Sequence, residues 1–133
     1  MKPFVENLSC DVLKRSVVVI CGERAKTWPL YDRMASKYLP KKTRQEIWAG
    51  ICEAWDRACR ESSGCKAITA VEHGDAYIVI PEWRLSVFAH EAYHAVQAVL
   101  HEVGTSDEEL GAYLTEWIFR TVIPAVQKAS KEK

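Results

Sequence analysis

The sequence lacks any long hydrophobic run and any excess of charge. No apolar stretch approaches the roughly 20 residues that a membrane-spanning helix requires, and no apolar segment follows Lys2 as it would in a secretion signal. The 18 basic and 18 acidic residues cancel, so no basic footprint for nucleic acid or for a membrane surface is indicated. We therefore expect a cytoplasmic protein that binds neither nucleic acid nor membrane.

The sequence also lacks paired cysteines. Its five cysteines are odd in number and contain no C-x-x-C pair, so neither a disulfide framework nor a thiolate zinc knuckle is expected. A chain of 133 residues is long enough for one core and too short for two. Residues 1–133 are therefore predicted to form a single domain, in which the polar tail 127–133 is expected to fray.

Hydrophobic periodicity predicts an α+β fold in which a small sheet packs on three or more helices. The predicted strands are 15–21, 66–71 and 76–80, and the predicted helices are 31–38, 41–61, 84–103 and one that begins near Thr105. The last two strands flank a turn and predict a β-hairpin. Residues 77–80 are predicted to be an edge strand beside a cleft, where an extended peptide could pair with the backbone.

The predicted helix at 84–103 carries residues that suggest chemistry. His90 and His94 are one turn apart on it, so two imidazoles can bind one metal ion. Glu91 lies about 100° round the axis from His90, within reach of a metal-bound water. This is the H-E-x-x-H arrangement of zinc hydrolases, with two ligands and a general base on one helix. The alternative is a helix that carries two surface histidines by chance.

A zinc ion requires a third protein ligand, and His101 is not expected to supply it. It lies seven residues beyond His94, about 10 Å along the same helix. The extended pattern H-E-x-x-H-x-x-G-x-x-H is also absent, because Gln97 and Leu100 occupy its glycine and its third histidine. The third ligand should therefore come from another element.

A glutamate on the following helix is the better candidate. Gly104 ends the first helix, and the short link makes the two helices neighbours. A capping box between Thr105 and Glu108 would leave Glu109 free to face the two histidines, whereas a box between Ser106 and Glu109 would occupy it. Facing geometry favours Glu109 as the third ligand, with Glu108 as the alternative.

These residues resemble the Glu-zincin (gluzincin) type of metallopeptidase. The chain is similar to small metallopeptidase-like proteins of bacteriophages and to the ImmA/IrrE peptidase domain, in which the third ligand is a glutamate in an E-x-x-A context. Glu109 and Ala112 match that context, and the resemblance covers about residues 75–117. Tyr113 stands where many gluzincins carry a carboxylate that orients a histidine. Glu116 or a backbone carbonyl would then take that orienting role.

The resemblance implies a zincin-like core and zinc-dependent hydrolysis of a protein or peptide substrate. His90, His94 and Glu109 would bind Zn²⁺, and Glu91 would be the general base. The candidate donors to the developing oxyanion are Tyr113, Arg84 and Arg120. A phage origin would place the protein in the cytoplasm of an infected host.

Two further interpretations remain open at the level of sequence. The same fold could be a non-catalytic protein-binding module, for instance an anti-defence or regulatory protein, with the metal structural or absent. Aromatic residues are enriched at interfaces, and the tryptophans that would suit one are Trp28, Trp48, Trp55, Trp83 and Trp117. A metal-dependent amidase acting on a non-protein substrate has the same motif.

Overall fold

The computed structural model describes residues 1–131, which form a four-stranded mixed sheet and four helices. In chain order the elements are β1 (Phe4–Cys10), β2 (Arg15–Cys21), α1 (Arg24–Ala35), α2 (Lys41–Glu61), β3 (Ile68–Glu72), β4 (Asp75–Ile80), α3 (Leu85–Glu102) and α4 (Glu108–Lys131). The predicted α+β class, with a small sheet and three or more helices, is confirmed.

The strands lie in the order β1-β2-β4-β3. The pairs β1–β2 and β3–β4 are antiparallel, and β2 runs parallel to β4, with Val17 opposite Ala76 and Cys21 opposite Ile80. The chain between β2 and β4 contains α1, α2 and β3, and this long connection is the crossover that a parallel pair requires. The two central strands are therefore β2 and β4, and the edges are β1 and β3.

Helices cover both faces of the sheet, which explains why β2 is apolar at successive positions. Side chains alternate along a strand, so Val17 and Val19 pack in one core with α3 and α4, whereas Val18 and Ile20 pack in another with α1 and α2. A strand buried on both faces has no polar face to alternate with its apolar one. The sheet is thus the middle of three layers.

The structure corrects the predicted edge strand. Residues 77–80 belong to β4, which is hydrogen-bonded on both sides, to β2 and to β3. The free edge near the predicted metal helix belongs to β3 instead. The hairpin was predicted from local spacing, but the order of its strands in the sheet depends on which of them pairs with β2.

Three local predictions also differ from the structure. The strand β1 was not predicted, and α1 begins at Arg24 rather than at Tyr31, with Pro29 inside it. The tail predicted over 127–133 is helical as far as Lys131, and its last two residues lie outside the described part of the chain.

Of the helices within residues 1–131, none has the length and apolar character needed to cross a membrane.

Candidate metal centre

Helix α3 presents the two motif histidines together at the surface. Its buried side packs on the sheet through Phe88, Ala92 and Ala95, which leaves His90 and His94 exposed on the outer side. Their Nε2 atoms lie 3.1 Å apart. Two nitrogens that each bind a tetrahedral zinc at 2.0–2.1 Å are separated by about 3.3 Å. The pair is therefore spaced as two ligands of one ion would be.

Glu91 lies beside this pair but points inward. It is only 7% exposed and is the one buried carboxylate among the described residues. Its Oε1 atom accepts a hydrogen bond of 2.9 Å from the Thr69 hydroxyl, which also lies 3.1 Å from the Glu91 carbonyl oxygen. Because Thr69 belongs to β3, this contact connects the edge strand to the helix that carries the motif.

A groove of about 440 Å³ runs between α3, the edge strand β3 and the end of α2. Glu91 and His94 form part of one wall, and Thr69 and Val71 form part of another. Apart from Ile68 and Glu61, the remaining lining residues are small, namely Ala58, Ser62, Cys65, Ala67 and Ala98. The groove therefore brings a histidine, a buried carboxylate and the free edge of the sheet to one place.

Helix α4 packs antiparallel to α3, and this packing sets the position of Glu109. The rings of Phe119 and Phe88 lie 5.1 Å apart, and Gly111 lies against Val96 and Leu100. Because the helices are antiparallel, Glu109, two residues before Gly111, lies beside Leu100 or nearer the C-terminal end of α3. This position is about 9 Å from His94 along the axis of α3. It is also exposed, about 200° round α4 from the side that faces α3.

The start of α4 differs from both predicted capping boxes. The Asp107 carboxylate accepts a hydrogen bond of 3.0 Å from the Leu110 amide, and the Thr105 hydroxyl accepts one from the Asp107 amide. Asp107 is therefore the N-cap, and Glu108 and Glu109 occupy the first turn, where the helix dipole favours acidic residues. Glu108, rather than Glu109, lines a second groove between α3 and α4, which also contains His101.

Within residues 1–131, no hydrogen bond, ion pair or ring contact joins the predicted oxyanion donors to the histidine pair. Tyr113 is 64% exposed and lies on the same outer side of α4 as Glu109. Arg120 forms an ion pair with Glu116 on that side, and Arg84 is the exposed residue that precedes α3. Glu116 is thus occupied by Arg120, and no contact joins it to either histidine.

The predicted ligand set is therefore only partly assembled. His90 and His94 fit a metal ion by their spacing. Among residues 1–131, however, no three His, Cys, Asp or Glu side chains are grouped so that they could hold one. Glu109 as the third ligand stays a prediction from the resemblance, and the geometry of α4 does not support it.

Two residues that line the groove, Thr69 and Cys65, were not predicted from the sequence as part of the site. Thr69 is the one polar residue in the strand segment 67–71, and a polar residue inside an apolar strand suggests a specific partner. Cys65 follows the turn after α2 and faces the same groove. Burial raises the pKa of the Cys65 thiol, and the nearby Cys59 thiol and Glu91 carboxylate raise it further.

Comparison of the chain with protein-family models, with curated protein sequences and with solved structures found no match.

Proposed function

We propose that the protein is a zinc-dependent metallopeptidase with a zincin-like core. The observation that supports this most directly is the 3.1 Å separation of the His90 and His94 Nε2 atoms, with the buried carboxylate of Glu91 beside them. Two ligands and one base on a single helix are the parts from which H-E-x-x-H hydrolases are built. Helix α3 packs on the sheet through its buried side, so the two histidines on its exposed side project from a rigid element.

The proposed chemistry assigns a proton transfer to Glu91. Zinc held by His90, His94 and a third ligand, which residues 1–131 do not group with them, would act as a Lewis acid and lower the pKa of its water ligand. The Glu91 carboxylate takes a proton from the attacking water through Oε2, since Oε1 is engaged by Thr69. As the C–N bond of the substrate breaks, Glu91 returns that proton to the leaving amine. The products are a carboxylic acid and an amine.

The edge strand β3 would hold the substrate in this proposal. No strand of residues 1–131 lies on its outer side, so an extended peptide can add to it through backbone hydrogen bonds. Val71 is 44% exposed on β3 and lines the groove, so it is available for contact with a substrate side chain. The scissile bond would then lie between β3 and the histidines of α3.

Metal analysis combined with a hydrolysis assay tests the proposal. We expect wild-type protein to bind about one equivalent of zinc and to cleave members of a quenched fluorescent peptide library. Glu91→Gln should keep the zinc and lose the cleavage, because the amide cannot accept the proton. Absence of zinc binding, or equal cleavage by Glu91→Gln, would contradict the proposal.

A second candidate function, a non-catalytic protein-binding module, is favoured by one observation. The donor set around His90 and His94 is incomplete within residues 1–131. The five tryptophans do not form an exposed surface that would support this function, because each is half-buried. If the biological effect of the protein is the same for Glu91→Gln as for wild type, the binding module replaces the peptidase.

A further inference from the structure

A hydrogen bond from the Thr69 side chain joins the free edge of the sheet to the proposed base, Glu91. Thr69 Oγ1 lies 2.9 Å from Glu91 Oε1 and 3.1 Å from the Glu91 carbonyl oxygen. A hydroxyl has one hydrogen, so it shares that hydrogen between the two acceptors. The two carboxylate oxygens of Glu91 are therefore not equivalent in this structure.

Both partners are held by the fold. Thr69 is opposite Ile78 in the β3–β4 pairing, and its branched Cβ restricts the side chain to few rotamers. Glu91 is on α3, whose neighbouring residues Ala92 and Ala95 are fully buried against the sheet. In contrast, the terminal torsion of a glutamate has a broad energy minimum. Without the hydroxyl, rotation of the carboxylate about that torsion would be restrained only by packing.

We propose that Thr69 is a positioning residue, which holds one oxygen of the Glu91 carboxylate so that the other faces the groove. This inference rests on the proposed function, since it specifies how the base of that reaction is oriented. The same strand would also position the substrate. A peptide that adds to β3 pairs with the strand that carries Thr69, so substrate and base are aligned by the same element.

The test compares two substitutions that differ in the hydroxyl. Thr69→Val keeps the shape and the branched Cβ but removes the donor, whereas Thr69→Ser keeps the donor. Partners of this kind typically account for a factor of 10 to 100 in activity, so we expect Thr69→Val to lower kcat by about that factor. KM should change little, because the peptide pairs with the backbone. Thr69→Ser should recover most of the lost rate.

A matched control separates positioning from loss of an ordinary hydrogen bond. The Thr115 hydroxyl donates to the Gly111 carbonyl at 2.9 Å within α4 and is also partly buried. Thr115→Val should therefore have wild-type kcat and KM. Zinc content should be unchanged in all three variants, because neither Thr69 nor Thr115 forms a hydrogen bond with His90 or His94.

Two results would overturn the inference: wild-type kcat in Thr69→Val, or a Thr69→Ser variant as slow as Thr69→Val.

A stability measurement distinguishes failure of this inference from failure of the proposed function. If the contact orients the carboxylate, the loss of unfolding free energy in Thr69→Val should shrink in a Glu91→Leu background. Equal losses in both backgrounds would show that the hydroxyl does not act on the Glu91 carboxylate, because its contact with the Glu91 backbone carbonyl is retained in Glu91→Leu. That coupling is measured by urea unfolding, so it is informative even if wild-type protein hydrolyses no peptide.

Discussion

The Nε2 atoms of His90 and His94 lie 3.1 Å apart on the exposed side of α3. The rings are nearly perpendicular, with centroids 4.6 Å apart. His101, which is exposed on the same helix, lies two turns from His94 and lines the other groove. Helix α3 therefore contains two histidines that converge and one that serves as an internal control.

Zinc content should distinguish these histidines. We expect His94→Gln to lose bound zinc, because a single imidazole does not hold the ion, and His101→Gln to retain it. Both substitutions are at exposed positions, so both variants should fold. Elemental analysis after gel filtration measures the metal. Equal zinc in the two variants would remove His94 from the site.

Glu109 gives a test in which resemblance and structure predict opposite results. The gluzincin resemblance predicts that Glu109→Gln loses zinc. From the packing of α4, we expect instead that it binds zinc as tightly as wild type does, because the carboxylate lies on the far side of that helix. Titration with zinc against a chelating dye measures the affinity, with Glu108→Gln as the neighbouring control. Weaker binding in Glu109→Gln alone would mean that the first turn of α4 rearranges around the ion.

The proposed docking of a peptide along β3 predicts a role for Val71. Val71→Thr keeps the branched shape and replaces a methyl by a hydroxyl, so an apolar contact with substrate is lost. We expect KM to rise by about fivefold, which corresponds to about 1 kcal/mol, with kcat unchanged. Val12 is 90% exposed between β1 and β2 and remote from the groove, so Val12→Thr should match wild type. An unchanged KM in Val71→Thr would argue against docking at this edge.

The cysteines should differ in reactivity. Burial raises the pKa of Cys21 to about 11, and this residue is 2% exposed. Since the thiolate is the reactive form, Cys21 should resist alkylation in the folded protein even at pH 9. Cys59 is exposed and should react first. Iodoacetamide labelling followed by peptide mass analysis measures both, and full denaturant should make Cys21 as reactive as Cys59. Rapid labelling of Cys21 in native protein would contradict its burial.

Gly22 should be more sensitive to substitution than Gly64. It has a φ of 133°, and an added Cβ would lie 2.7 Å from the Cβ of Pro3. We expect Gly22→Ala to lower the free energy of unfolding by about 2 to 4 kcal/mol, from backbone strain and steric overlap together. Gly64 also has a positive φ, of 81°, but has open space around it, so Gly64→Ala should cost about 1 kcal/mol. Urea unfolding compares the two.

Local periodicity accounts for the elements that were predicted well. The predicted helix at 41–61 coincides with α2, and the predicted helix at 84–103 differs from α3 by one residue at each end. Both contain apolar residues at helical spacing over at least 18 residues, which is a strong local signal. The strand β1 was missed because its apolar and polar residues do not alternate regularly, and it is stabilised by pairing with β2.

The amino-acid sequence by itself determined that His90, Glu91 and His94 share one helix with the imidazoles on one side, because spacing along a helix sets those directions. It also determined that Glu109, Tyr113, Glu116 and Arg120 share one side of the next helix. Only the tertiary structure decided that this side points away from α3, that β3 rather than β4 is the free edge, and that Thr69 contacts Glu91. Those facts depend on contacts between residues far apart in the chain, and no local pattern encodes them.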